Sequence, residues 1–139
     1  MYAKKIKATD YNGTEREETF YFNLTEAELA EMELSQSGGL KSYLEGIVES
    51  QSEPDIVAFF KKIIKASYGE KSNDGKYFRK EKPDGSRYVD DFCATEFYSV
   101  LFMELATDTD KATKFINGII PAKFRNESAL PKHPVIENA

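Results

Sequence analysis

The chain has 139 residues, of which 40% are hydrophobic and 13% aromatic, enough to close one core and too many for an intrinsically disordered protein. A net charge of −5 with a pI near 5.0 disfavours nucleic acid as a partner, because sequence-independent affinity for phosphates comes from Lys and Arg. A mean hydropathy of −0.56, without a run of about 20 apolar residues, excludes a membrane-spanning helix.

The N-terminal stretch MYAKKIKATD is basic, but no apolar segment follows it, so it does not read as a signal peptide and the chain is expected in the cytosol. Residues 2–9 and 17–24 alternate as half-buried strands do: Tyr2, Lys4, Ile6 and Ala8 share one face, as do Phe20, Phe22 and Leu24. A two-residue Asn12-Gly13 loop would put the two apolar faces on opposite sides of the ribbon. A three-residue loop, Tyr11 to Gly13, pairs Phe20 with Lys4 and Phe22 with Tyr2 and places Gly13 at the left-handed position of a bulged hairpin. That register is the one expected.

Thr25 and Glu28 form a capping box, with Leu24 and Leu29 as a hydrophobic staple, so a helix starts at Glu26 and stops before Gly38-Gly39. Leu40, Tyr43, Leu44, Ile47 and Val48 trace one face of a second helix. A third begins after Ser52, carries Pro54 in its first turn, and closes at Gly69. Its apolar set (Ile56, Val57, Phe59, Phe60, Ile63, Ile64) is wide enough to make it central to the core.

Residues 69–87 contain two Asp-Gly pairs and little periodicity, which marks a long loop or a small two-strand ribbon. Helical pattern returns from Val89 with Phe92, Cys93, Phe97, Val100 and Leu101, beside a second stripe of Tyr98, Phe102 and Leu105. Thr107 to Asp110 breaks it. A last helix shows Ala112, Phe115, Ile116, Ile119 and Ile120 on one face, and Pro121 ends it. The expected fold is α+β, mainly α: one domain over 1–121, with a hairpin at 2–24 and about five helices over 26–121, then a flexible, disordered tail over 122–139.

Chemistry-bearing residues are sparse. His133 lies between two prolines in the expected tail, where nothing holds a general base against a substrate. One cysteine, Cys93, excludes an internal disulfide, and with one histidine it cannot build a Cys/His zinc site; on an apolar helix face it reads as a small buried hydrophobe. Asp90 with Asp91, and Asp108 with Asp110, read as helix-start acids. Residues 72–76 (SNDGK) lack the alternate acids of a calcium loop and read as a turn. The basic, aromatic run KYFRKEK at 76–82 reads as a solvated segment pinned by an aromatic anchor rather than a base-stacking site. No catalytic set, metal site or cofactor motif emerges, and the chain is read as a non-enzyme. The double stripe over 92–105 signals either full burial or one face kept for a partner.

Four segments taken in order, TEREETFYFNLTEAELAEME (14–33), SGGL (37–40), SYGEKSNDGKYF (67–78) and FYSVLFMELATDTDKATKFINGIIP (97–121), resemble the tail assembly chaperones encoded upstream of the tape measure gene in siphophages of Gram-positive hosts. The resemblance covers residues 11–121. It implies a chaperone that coats the tape measure protein, keeps it soluble and helps recruit tail tube subunits, without remaining in the mature virion. It also implies that this chain is a short form, with a frameshifted longer product engaging the tube protein, and self-association fits a coat on a filamentous client. Nucleic acid and membrane are not expected partners. The resemblance carries no individual binding residue, so the expected contact residues rest on apolar exposure alone: Tyr98, Phe102 and Leu105 of the second stripe, and Phe124, Leu130, Val135 and Ile136 of the tail. Two other readings stay open at this point, a minor virion or tail-completion component and a small regulator binding a host protein.

Overall fold

A computed structural model describes residues 1–32 and 39–125, apart from the side chains of Lys41 and Val48. Strands β1 (Tyr2–Thr9) and β2 (Glu15–Phe22) pair antiparallel, with Tyr2 opposite Phe22 and Lys4 opposite Phe20, the register that the three-residue loop requires. Gly13 sits at φ +82°, a region in which a Cβ is strained, and the Asp10 carboxylate accepts from the Asn12 and Thr14 amides at 2.9 Å each.

In chain order there follow α1 (Glu26–Glu31), α2 (Gly39–Glu49), α3 (Glu53–Ser67), β3 (Tyr68–Lys71), β4 (Phe78–Arg79), α4 (Tyr88–Cys93), α5 (Glu96–Thr107) and α6 (Thr109–Ile119). The strands form one antiparallel sheet in the order β1-β2-β3-β4, Tyr21 facing Gly69 and Lys71 facing Phe78. The stretch over 69–87 is therefore a ribbon, and it extends the N-terminal hairpin into a four-stranded sheet.

β2 stops two residues earlier than its alternation suggests. The Asn23 amide donates to the Ser67 carbonyl at 2.8 Å and the Leu24 amide to the Ile119 carbonyl at 2.7 Å, so the ends of α3 and α6 take the donors that a longer strand would use. The Thr25–Glu28 capping box is present, the Glu28 amide donating to Thr25 Oγ1 and the Thr25 amide to Glu28 Oε1, with Leu24 and Leu29 both in the core. Of the α2 face, Leu40 and Leu44 are buried, Ile47 is partly buried, and Tyr43 is exposed over the α3 residue Phe59; the Val48 side chain lies outside the description.

Gly69 does not close α3. It lies inside β3, where an added Cβ would sit 2.8 Å from both the Arg79 carbonyl oxygen and the Phe78 ring, so glycine is needed for close approach and not for a left-handed cap. The helical stretch from Val89 is also broken, at Ala94–Thr95, where Thr95 Oγ1 donates to the Phe92 carbonyl at 2.7 Å. The break has a packing reason. Phe92 and Phe97 both lie 4.9 Å from the Phe20 ring, yet residues five apart on a straight helix point about 140° apart.

One core cluster draws on every helix and on β1, β2 and β3. At its centre Phe22 is fully buried among Tyr68, Phe92 and Phe115, with ring centroids 5.2 to 6.0 Å away, and Tyr68 stacks on Phe92 at 4.6 Å. Each such ring contributes roughly 1.5–3 kcal/mol by burial. Burial pushes the Tyr68 hydroxyl pKa up to about 12, with the carboxylates of Glu70 and Asp91 adding to the shift. In α6 the expected face is buried and the Asp108 carboxylate caps the first turn. Residues Ala122–Phe124 form a 3-10 turn, Phe124 packing partly buried against the core and Lys123 pairing with Glu26 at 2.7 Å. The rest of the expected tail, including Leu130, His133, Val135 and Ile136, lies outside the described residues. Among the described residues no helix is long and apolar enough to cross a membrane.

Candidate partner-binding surface

α5 carries the candidate surface because it is apolar on two sides. One side, Phe97, Leu101, Leu105 and Ala106, is buried against the sheet and α6. Leu105, expected on the exposed stripe, is only 2% accessible and belongs to the core: it follows Leu101 by one helical turn as well as Phe102 by three residues. The accessible stripe therefore narrows to Tyr98 and Phe102. Both are half-buried, with ring centroids 6.0 Å apart, and Tyr98 also meets Phe92 edge-on at 6.1 Å. Val100, 39% exposed, stands two residues from each of them and so faces another side of the helix, outside this stripe.

Polar groups frame this helix. Glu104 of α5 accepts from Lys4 at 2.7 Å and pairs with Lys111 at 3.2 Å, fixing α5 against β1 and α6. Burial raises the pKa of the Tyr98 hydroxyl and of the Cys93 thiol, so both remain neutral, weakly polar surfaces near pH 7. Phe124 stands at the far end of α6 with Lys123 over its ring at 5.2 Å.

The other candidate groups have structural occupations. Asp90 accepts from the Arg87 amide at 3.2 Å, Asp91 pairs with Lys82, and Asp74 accepts from Ser72 Oγ and the Lys76 amide within the SNDGK turn. In the basic run, Phe78 lies over Gly69 as the aromatic anchor, and Lys80 donates to the Asn23 carbonyl at 2.7 Å and to Glu28 at 2.5 Å. Tyr77 is the accessible ring of the run, with Arg79 over it at 4.3 Å. Among the described residues no group of three or more His, Cys, Asp or Glu is placed to hold a metal ion.

Sequence reasoning did not find a cleft of about 260 Å³ between the hairpin tip and the α4–α5 break, floored by Ala8 and Phe97 and walled by Tyr11. Its signal is tertiary, since the break at Ala94–Thr95 contains neither proline nor glycine.

A family model described as phage tail assembly chaperone matches residues 1–138, and the chain belongs to that family. Neither a curated protein nor a solved structure matches it.

Proposed function

We propose that this chain is the short form of a non-catalytic tail assembly chaperone that binds the tape measure protein, keeps it soluble in the host cytoplasm, and helps recruit tail tube subunits before leaving the finished particle. The observation that carries the reading is the family match over residues 1–138. A half-buried aromatic pair on a helix whose other side is in the core supports it. Tyr98 and Phe102 offer one helical turn of apolar surface, the spacing at which an amphipathic client helix lays its own i, i+4 residues. Phe124, followed by Leu130, Val135 and Ile136, is the second surface in this reading, and a frameshifted longer product engages the tube protein.

Co-expression with the tape measure protein of the same phage, followed by sizing of the soluble fraction, tests the proposal. The expected result is a soluble, large complex with many copies of this chain, reduced when Tyr98 and Phe102 are both replaced by lysine and the variant's circular dichroism is unchanged. A tape measure protein that stays insoluble while this chain elutes alone overturns the reading. Mass spectrometry of purified particles should find the chain depleted.

A further inference from the structure

The hairpin tip does not hang free. Tyr11, 74% exposed, reaches across to α4 and donates its hydroxyl to the Ala94 carbonyl at 3.3 Å. Beneath it lies the cleft of about 260 Å³, with the Ala8 methyl and the Phe97 ring as an apolar floor. Because a dry cavity of about 150 Å³ is enough for benzene, this space takes one leucine, methionine or phenylalanine side chain with its stem.

The rim is polar and unbalanced in sign. Asp10, Glu18 and Glu96 surround a single cation, Arg16. Arg16 is committed to Asp10 at 2.7 Å and stands 3.9 Å from Glu18, whereas Glu96 makes no ion pair among the described residues. The exposed N-terminus of α5 contributes about half a positive charge, partly cancelled by the end of α4 that abuts it, so the rim stays negative. A negative rim around an apolar floor selects for a cation beside an apolar side chain.

We infer that the cleft beneath Tyr11 is a docking site for a protein segment that presents one leucine, methionine or phenylalanine flanked by lysine or arginine. The site shares no lining residue with Tyr98 and Phe102 and stands whatever the client of α5 is. Its chemistry is separate too: the α5 stripe offers apolar area alone, and the cleft adds a requirement for charge.

The test titrates the full-length, ¹⁵N-labelled chain with two capped twelve-residue peptides that differ only in having lysine or glutamate on both sides of one phenylalanine. The lysine peptide is expected to shift the amides of Tyr11, Ala94 and Phe97, and the glutamate peptide to bind about tenfold more weakly or less. The double variant Glu18→Gln/Glu96→Gln changes only exposed carboxylates, so its amide spectrum should stay folded while its affinity for the lysine peptide falls about three- to tenfold. Equal binding of the two peptides, shifts confined to residues away from the cleft, or no binding by either overturns the inference.

Discussion

The two hairpins of the sheet are built on opposite principles. β1–β2 pairs eight residues on each strand, and its register follows from alternation and one left-handed glycine, all within 22 residues of chain. β3–β4 pairs only two residues on each strand and rests on contacts made elsewhere: Gly69 under Phe78, Tyr21 across from Gly69, and Lys80 reaching back to Asn23 and Glu28. The first is specified locally and the second by the tertiary fold, which teaches that a polar, turn-rich segment becomes sheet when a neighbouring edge and a buried anchor are both at hand.

The largest break of that contrast is Phe92→Ala, since Phe92 is the ring where the two ribbons meet, stacking on Tyr68 of β3 and contacting Phe20 and Phe22 of β2. A loss of about 3–5 kcal/mol is expected in urea unfolding, with both hairpins failing together. Gly69→Ala should cost less, about 1–3 kcal/mol, because a backbone carbonyl stands 2.8 Å from the new methyl and cannot yield as a side chain can. Hydrogen exchange should show amide protection lost over 68–79 and kept over 2–9; uniform loss across both ribbons would mean that they are one unit after all.

The smallest effect sharpens the comparison by pH. Burial raises the Glu28 pKa, but Lys80 and the Thr25 amide outweigh it and hold the carboxyl below its ordinary range. A carboxylate whose folded pKa is depressed stabilises the fold at pH above its unfolded value, about 4.3, and loses that contribution as pH falls through the lower folded value. The advantage of the wild type over Glu28→Gln, about 1 kcal/mol, should thus be constant near neutrality and vanish on acidification. Thermal unfolding of both proteins against pH measures it, and an advantage that grew toward acid would refute the assignment.

What could be read from the sequence divides along the same line. The β1–β2 register, the α1 capping box and the buried face of α6 depend on residues within a few turns of one another, and each is present as expected. The β2–β3 pairing joins residues 48 apart, and the α4–α5 break serves the contact of two phenylalanines with Phe20, so neither leaves a local mark. The same holds for the surface. The second stripe on α5 was visible, but Leu105 stands on the border of both faces, and only the tertiary packing of α5 into the core decides that it turns inward. The cleft under Tyr11 required the hairpin tip and the helix break to be brought together, a separation of 83 residues.

The bond from the Leu24 amide to the Ile119 carbonyl, together with the Lys4–Glu104 ion pair and the Tyr2–Phe115 contact, joins the beginning of the described chain to its end. During synthesis the first strand must therefore wait for about 100 further residues before its partners leave the ribosome, roughly 5–20 s at ordinary elongation rates. Phe20 and Phe22 wait a shorter time, until the Tyr68, Phe92 and Phe97 rings that pack on them have been made. This member of a tail assembly chaperone family thus passes its own nascent phase with part of its apolar sheet face uncovered, and its yield should respond to translation speed and to holdase chaperones more than its folded stability would suggest.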